Sequence, residues 1–114
     1  MLKLKEELSC TTELNQNGEI KLYLSDLAEF DIKNDKLRTF ALANLKAGEE
    51  VEFHIHKGEC EYYYILSGTG VYTDNQNKIE ITPGTVTFTP SGSGHGIKNT
   101  GSEMLEFIAL IVKD

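Results

Sequence analysis

Short runs of β-branched and aromatic residues recur along the chain, separated by Gly, Asn, Asp and Pro. Within many of them apolar and polar positions alternate with the period of two that sends successive side chains to opposite faces of a strand. The pattern predicts strands near residues 20–24, 37–45, 50–56, 61–67, 70–73, 78–82, 85–89, 96–99 and 104–112. Asn17-Gly18, Asp74-Asn75-Gln76-Asn77, Pro83-Gly84 and Thr100-Gly101-Ser102 fall between them and tolerate tight-turn backbone angles. Only residues 24–30 invite a helical reading, with Ser25 as a cap for one short turn into Leu27 and Phe30. The expected class is all-β: an antiparallel barrel or sandwich.

The last run, Met104 to Val112, is apolar at almost every position, which predicts burial on both faces. Its outer face then needs a cover. A two-fold homodimer would supply one, joined by the apolar row Val51, Phe53 and Ile55; an N-terminal strand folding back would be the alternative.

The chain has 114 residues, enough to bury a core without disulfides, and the expectation is one domain over 1–114. No apolar run approaches the roughly 18 residues of a membrane-spanning helix. The N-terminus alternates charge with leucine and has no secretory pattern, so a cytoplasmic protein is expected. Cys10 and Cys60 match no zinc spacing and read as free thiols. A net charge of −7, with ten lysines and Arg38 as the sole arginine, argues against a phosphate-neutralising surface and hence against a nucleic-acid partner.

The three histidines carry the chemistry. His54 and His56 are two apart on an expected strand, so both imidazoles project from one face about 6.6 to 7 Å apart. After a turn, a returning antiparallel strand opens with Glu61 and can bring it beside them. Imidazole and carboxylate together suit one divalent ion of Fe, Mn, Ni, Cu or Zn, with His95 as a fourth ligand.

These residues resemble the cupin superfamily. The first cupin motif, G-x5-H-x-H-x4-E-x6-G, is met by Gly48, His54, His56, Glu61 and Gly68; the second, G-x5-P-x-G-x2-H-x3-N, by Gly84, Pro90, Gly92, His95 and Asn99. Together they span residues 48–99, and the short interval between them is similar to that of small microbial single-domain cupins, including oxalate-decarboxylase-like ones. The resemblance implies an antiparallel β-barrel or jelly roll (double-stranded β-helix) with a metal on His54, His56, Glu61 and His95. It also implies a metalloenzyme acting on a small oxygen-bearing metabolite, in the manner of a dioxygenase, decarboxylase or isomerase. The alternative is a non-catalytic sugar- or metabolite-binding cupin with a structural or recognition metal.

Other residues have weaker claims. Strand parity sends Tyr63 inward with Glu61, making it a candidate catalytic hydroxyl or simply barrel filling. Glu50 and Glu52 share parity with His54 and could act as bases or stay solvated. A cationic clamp for an acid substrate could come from Arg38, Lys46, Lys57 or Lys98. Glu59, beside the site in sequence but not a motif ligand, is expected to matter little, and the Gly- and Ser-rich residues 91–96 read as a flexible hinge carrying His95.

Overall fold

The computed structural model describes residues 1–14 and 16–114, apart from the side chains of Ile20 and Lys21. Among the described residues ten strands follow a 3-10 turn at Lys5–Glu7: β1 Cys10–Leu14, β2 Ile20–Asp26, β3 Leu37–Leu45, β4 Glu50–Ile55 and β5 Glu59–Ser67, then β6 Gly70–Asp74, β7 Asn77–Ile81, β8 Val86–Thr89, β9 Gly94–Asn99 and β10 Leu105–Lys113. They form two antiparallel sheets, six-stranded β1-β2-β3-β10-β5-β8 and four-stranded β4-β9-β6-β7. The all-β expectation holds as a jelly roll of two facing sheets rather than a strictly closed barrel. No helix among the described residues is long and apolar enough to cross a membrane.

Burial alternates along the central strands: β10, though apolar at almost every position, reads buried and half-buried in turn from Leu105 to Val112, and β5 sends Glu59, Glu61, Tyr63 and Ile65 inward. Leu45, Ile65, Ile97, Leu105 and Phe107, all almost fully buried, fill the space between the sheets. Motif residues outside the histidine cluster hold this frame. Gly68 has φ 86°, and a Cβ there would stand 2.6 Å from the Met104 carbonyl oxygen, so only glycine fits. Asn99 is wholly buried, donates to the carbonyls of Leu45 (2.9 Å) and Glu103 (2.7 Å), and accepts from Gly101 N–H (3.0 Å).

Three expectations need correction. The strand carrying Glu61 is expected to return beside the one carrying His54 and His56, but β4 pairs with β9 and β5 with β8, so the motifs interlock across the two sheets. No helical turn follows Ser25, because β2 runs on to Asp26, whose carboxylate then accepts from Ala28 N–H at 2.9 Å. The row Val51, Phe53, Ile55 is also broken: Val51 packs against the core while Phe53 and Ile55 are about half exposed. The cause is a β-bulge, since Val51 pairs with Ile97 and His54 with His95, so three steps on β4 match two on β9.

Candidate metal centre

The bulge positions the first ligand candidates. It brings both Val51 and His54 to the interior and displaces Glu52 and Phe53, both of which are exposed. A Cβ on Gly94 would collide with the Phe53 ring, so glycine at this position on β9 lets the displaced ring lie against the strand. Glu61 arrives from the opposite sheet on β5, not from a strand paired with β4.

The three Nε2 atoms converge. His54 stands 3.1 Å from His56, His56 3.0 Å from His95, and His95 3.2 Å from His54. Glu61 Oε1 lies 2.9 Å from His56 Nε2 and 2.8 Å from His95 Nε2. All four donor atoms fall within 4.8 Å of one another.

Each imidazole is fixed from behind. His54 Nδ1 is 2.8 Å from the Glu52 carbonyl oxygen, and His56 Nδ1 is 2.8 Å from Glu59 Oε2, whose other oxygen is paired with Arg38. Both partners are acceptors, an arrangement that favours the ring proton on Nδ1 and the Nε2 lone pair toward the centre. His95 Nδ1 meets the hydroxyls of Thr89 (2.9 Å) and Tyr72 (3.0 Å), which can accept its proton. Four Lewis-basic atoms then crowd together with no proton donor between them, a set that could hold a cation. Adjacent ligands on an octahedral ion with bonds of about 2.1 Å stand about 3.0 Å apart, against about 3.4 Å in a tetrahedron. The five close separations match the first.

Electrostatics point the same way. Burial, aided by the neighbouring His95 and His56, lowers the His54 pKa below its ordinary 6.5 in spite of the bond to Glu52, favouring neutral imidazole. Burial would raise Glu59, but the hydrogen bonds from Arg38 and His56 outweigh it and hold the carboxyl below its ordinary range. Tyr63 is pushed well above its ordinary pKa by burial and then by the charge of Glu61, so its hydroxyl stays protonated.

A cavity of about 770 Å³ opens on the cluster, with His54, His56, Glu61, Tyr63, Arg38 and Lys57 among its walls. Another hollow of about 830 Å³, along β4, β6 and β9, contains none of the four and holds Glu50 and Lys98 instead. Lys46 lies over the Tyr23 ring. Of the four candidate clamp cations, Arg38 and Lys57 therefore reach the site cavity. Glu50 lies away from the site, and Glu52 serves His54 through its backbone carbonyl.

Two readings of the sequence change here. Residues 91–96 are no hinge at His95: β9 begins at Gly94, between β4 and β6, and Asn75 accepts from Gly94 N–H and donates to its carbonyl, both at 3.0 Å. Glu59 is no bystander but the partner of a histidine at the centre. Its parity with Glu61 on one strand was the signal that could have found it.

A family model for the cupin domain matches residues 41–111, which include the whole cluster. The chain belongs to the cupin family. It is 41% identical over 97 residues to an oxalate-binding protein of Thermotoga maritima, covering 85% of this chain and 80% of that protein. A solved structure from Thermotoga maritima, described as a predicted oxalate decarboxylase, superposes with a TM-score of 0.90 at 37% identity and full coverage of both chains. Oxalate decarboxylase of Bacillus subtilis is 27% identical over 99 residues, which is 82% of this chain but 25% of that enzyme.

Proposed function

We propose that this cupin holds one divalent first-row metal ion on His54, His56, Glu61 and His95, and that the ion's remaining positions bind a small carboxylate-type metabolite. The observation that carries the reading is the convergence of four potential ligand atoms at octahedral spacing. Three neutral imidazoles and one carboxylate suit Fe, Mn, Ni, Cu or Zn. With a divalent ion the centre keeps a net positive charge, complementary to an anionic oxygen ligand.

When bound, the ion supplies a Lewis acid, or a redox centre if it is iron, manganese or copper. The protein supplies the rest. Arg38 and Lys57 place positive charge on the cavity wall, and Tyr63, whose hydroxyl stays protonated, is part of the same wall. The relatives' names support oxalate as the first member of the class to test. One relative is named for binding rather than turnover, which favours a second reading: a site that holds its ligand unchanged.

Titration of the manganese- and zinc-loaded protein with oxalate, followed by assay of oxalate consumed, separates the outcomes. Binding with consumption supports an enzyme of the decarboxylase or oxidase kind, and binding without consumption supports the second reading. No binding by either form overturns the carboxylate assignment.

The same reading includes a homodimer. β1 and β2 extend the six-stranded sheet beyond β3 rather than folding over β10, so its outer face is uncovered within the chain. Cross-strand rows there run Phe40, Leu110, Tyr62, Phe88 and Leu42, Ile108, Tyr64, Val86, with no charge in either. Charge depletion and aromatic content of this kind mark the centre of a permanent interface, and a second copy is its proposed cover.

A further inference from the structure

Glu59 and Glu61 are two apart on β5, so both side chains enter the interior, yet they do different things. Glu61 contributes a donor atom to the cluster itself. Glu59, 8% exposed, stands behind it, with Oε2 2.8 Å from His56 Nδ1 and Oε1 on the Arg38 guanidinium. A carboxylate bound at both oxygens has lost its rotational freedom. Being acceptor-only when ionised, it demands the imidazole proton on Nδ1 and leaves the lone pair on Nε2. That Nε2 lies within 3.1 Å of both other histidines and 2.9 Å from Glu61.

The other two histidines are held by neutral groups, a backbone carbonyl for His54 and two hydroxyls for His95. His56 alone has a charged partner behind it. An anionic acceptor at the outer nitrogen of a ligand imidazole raises the basicity of the inner one as well as orienting the ring.

We propose that Glu59, clamped by Arg38, is a positioning residue that fixes His56 as its Nδ1–H tautomer and holds its Nε2 on the common centre. The effect on metal affinity rests on the metal reading above; the tautomer does not.

The test records histidine ¹⁵N chemical shifts and long-range ¹H–¹⁵N couplings in metal-free protein near pH 8, together with Zn²⁺ affinity by competition with a chelator. In the wild type His56 is expected as the Nδ1–H form. In Glu59→Ala the Nε2–H form should rise to at least about half, and Zn²⁺ affinity should fall about 10- to 100-fold. Glu59→Gln keeps the shape but only one acceptor oxygen, which the Arg38 guanidinium claims; its amide NH2 then faces His56 Nδ1, so the Nε2–H form should rise in this variant as well. The His54 and His95 shifts should stay as in wild type, which a general loss of structure would not allow.

Arg38→Met, which leaves Glu59 in place but unclamped, should weaken the tautomer bias and decides the matter if Glu59→Ala fails to fold. The proposal is overturned if His56 keeps its Nδ1–H form in Glu59→Ala with affinity within about twofold of wild type, or if Arg38→Met changes neither measurement. A wild type that binds no Zn²⁺ would remove the metal reading, and the tautomer comparison alone would then decide for or against Glu59.

Discussion

Tyr63 lies nearly flat against the imidazole of His95, with ring centroids 4.9 Å apart and an interplanar angle of 24°. Both are buried, and the Phe107 ring packs on Tyr63 at 4.6 Å. His95 is therefore held by a ring on its face and by Tyr72 and Thr89 at its Nδ1 edge, from strands of both sheets. The ring and the hydroxyl of Tyr63 have separable tasks. Tyr63→Phe keeps the stack and is expected to bind metal within about threefold of wild type, whereas Tyr63→Ala should cost about 3 to 5 kcal/mol of stability. Urea unfolding and metal titration of the two variants check this, and equal effects from both would contradict the division.

The hydroxyl pair behind His95 is expected to be redundant. Tyr72→Phe leaves Thr89 within 2.9 Å of Nδ1, so it should lower stability by about 1 kcal/mol and change metal affinity little. Thr89→Val with Tyr72→Phe leaves the buried Nδ1–H without an acceptor. The double variant should lose about 10- to 100-fold in metal affinity, more than the product of the single losses, and a double-mutant cycle by calorimetry reads the coupling.

Acid should act on this site in a fixed direction. The His54 pKa is lowered in the fold, so the unfolded chain binds more protons; its contribution to stability is complete above about 6.5 and is lost as pH falls through the lowered value. Glu59 is likewise lowered, and its contribution goes at more acidic pH still. Metal-free protein should therefore lose stability between about pH 7.5 and about pH 4, and metal should leave as protons compete for imidazole. Urea midpoints across that range check the sign, and a midpoint that rises on acidification would contradict it.

Nine of the ten strands are legible in the alternation, and β3 has the expected bounds. β1 is not, because Cys10, Thr11, Thr12, Glu13 and Leu14 are all exposed and an edge strand without a buried face leaves no apolar period. The four cluster residues are legible from spacing alone. How they meet is not: a period of two cannot register the bulge between Val51 and His54, and nothing local tells β5 to pair with β8 rather than with β4. Parity with Glu61 places Glu59 inward, but its bond to His56 depends on how that side chain turns back across residues 56–58, which no periodicity records.

The two uncharged rows on the outer face of the six-stranded sheet give an assembly prediction. Tyr62 and Phe88 pack there with tilted rings, centroids 4.7 Å apart, and are 41% and 48% exposed, enough to meet a partner without opening the core. Phe88→Glu is expected to yield a folded monomer while the wild type sediments as a dimer at micromolar concentration. An unchanged sedimentation coefficient in the variant would place any dimer contact elsewhere.

The four-residue metal centre is tested most directly by metal content and affinity across His54→Ala, His56→Ala, Glu61→Ala and His95→Ala, using protein purified without a metal-affinity tag. The wild type should carry about one divalent ion per chain, and each histidine variant should lose at least about 100-fold in affinity while its circular dichroism remains all-β. Metal bound at wild-type affinity by all three histidine variants would contradict the centre described here.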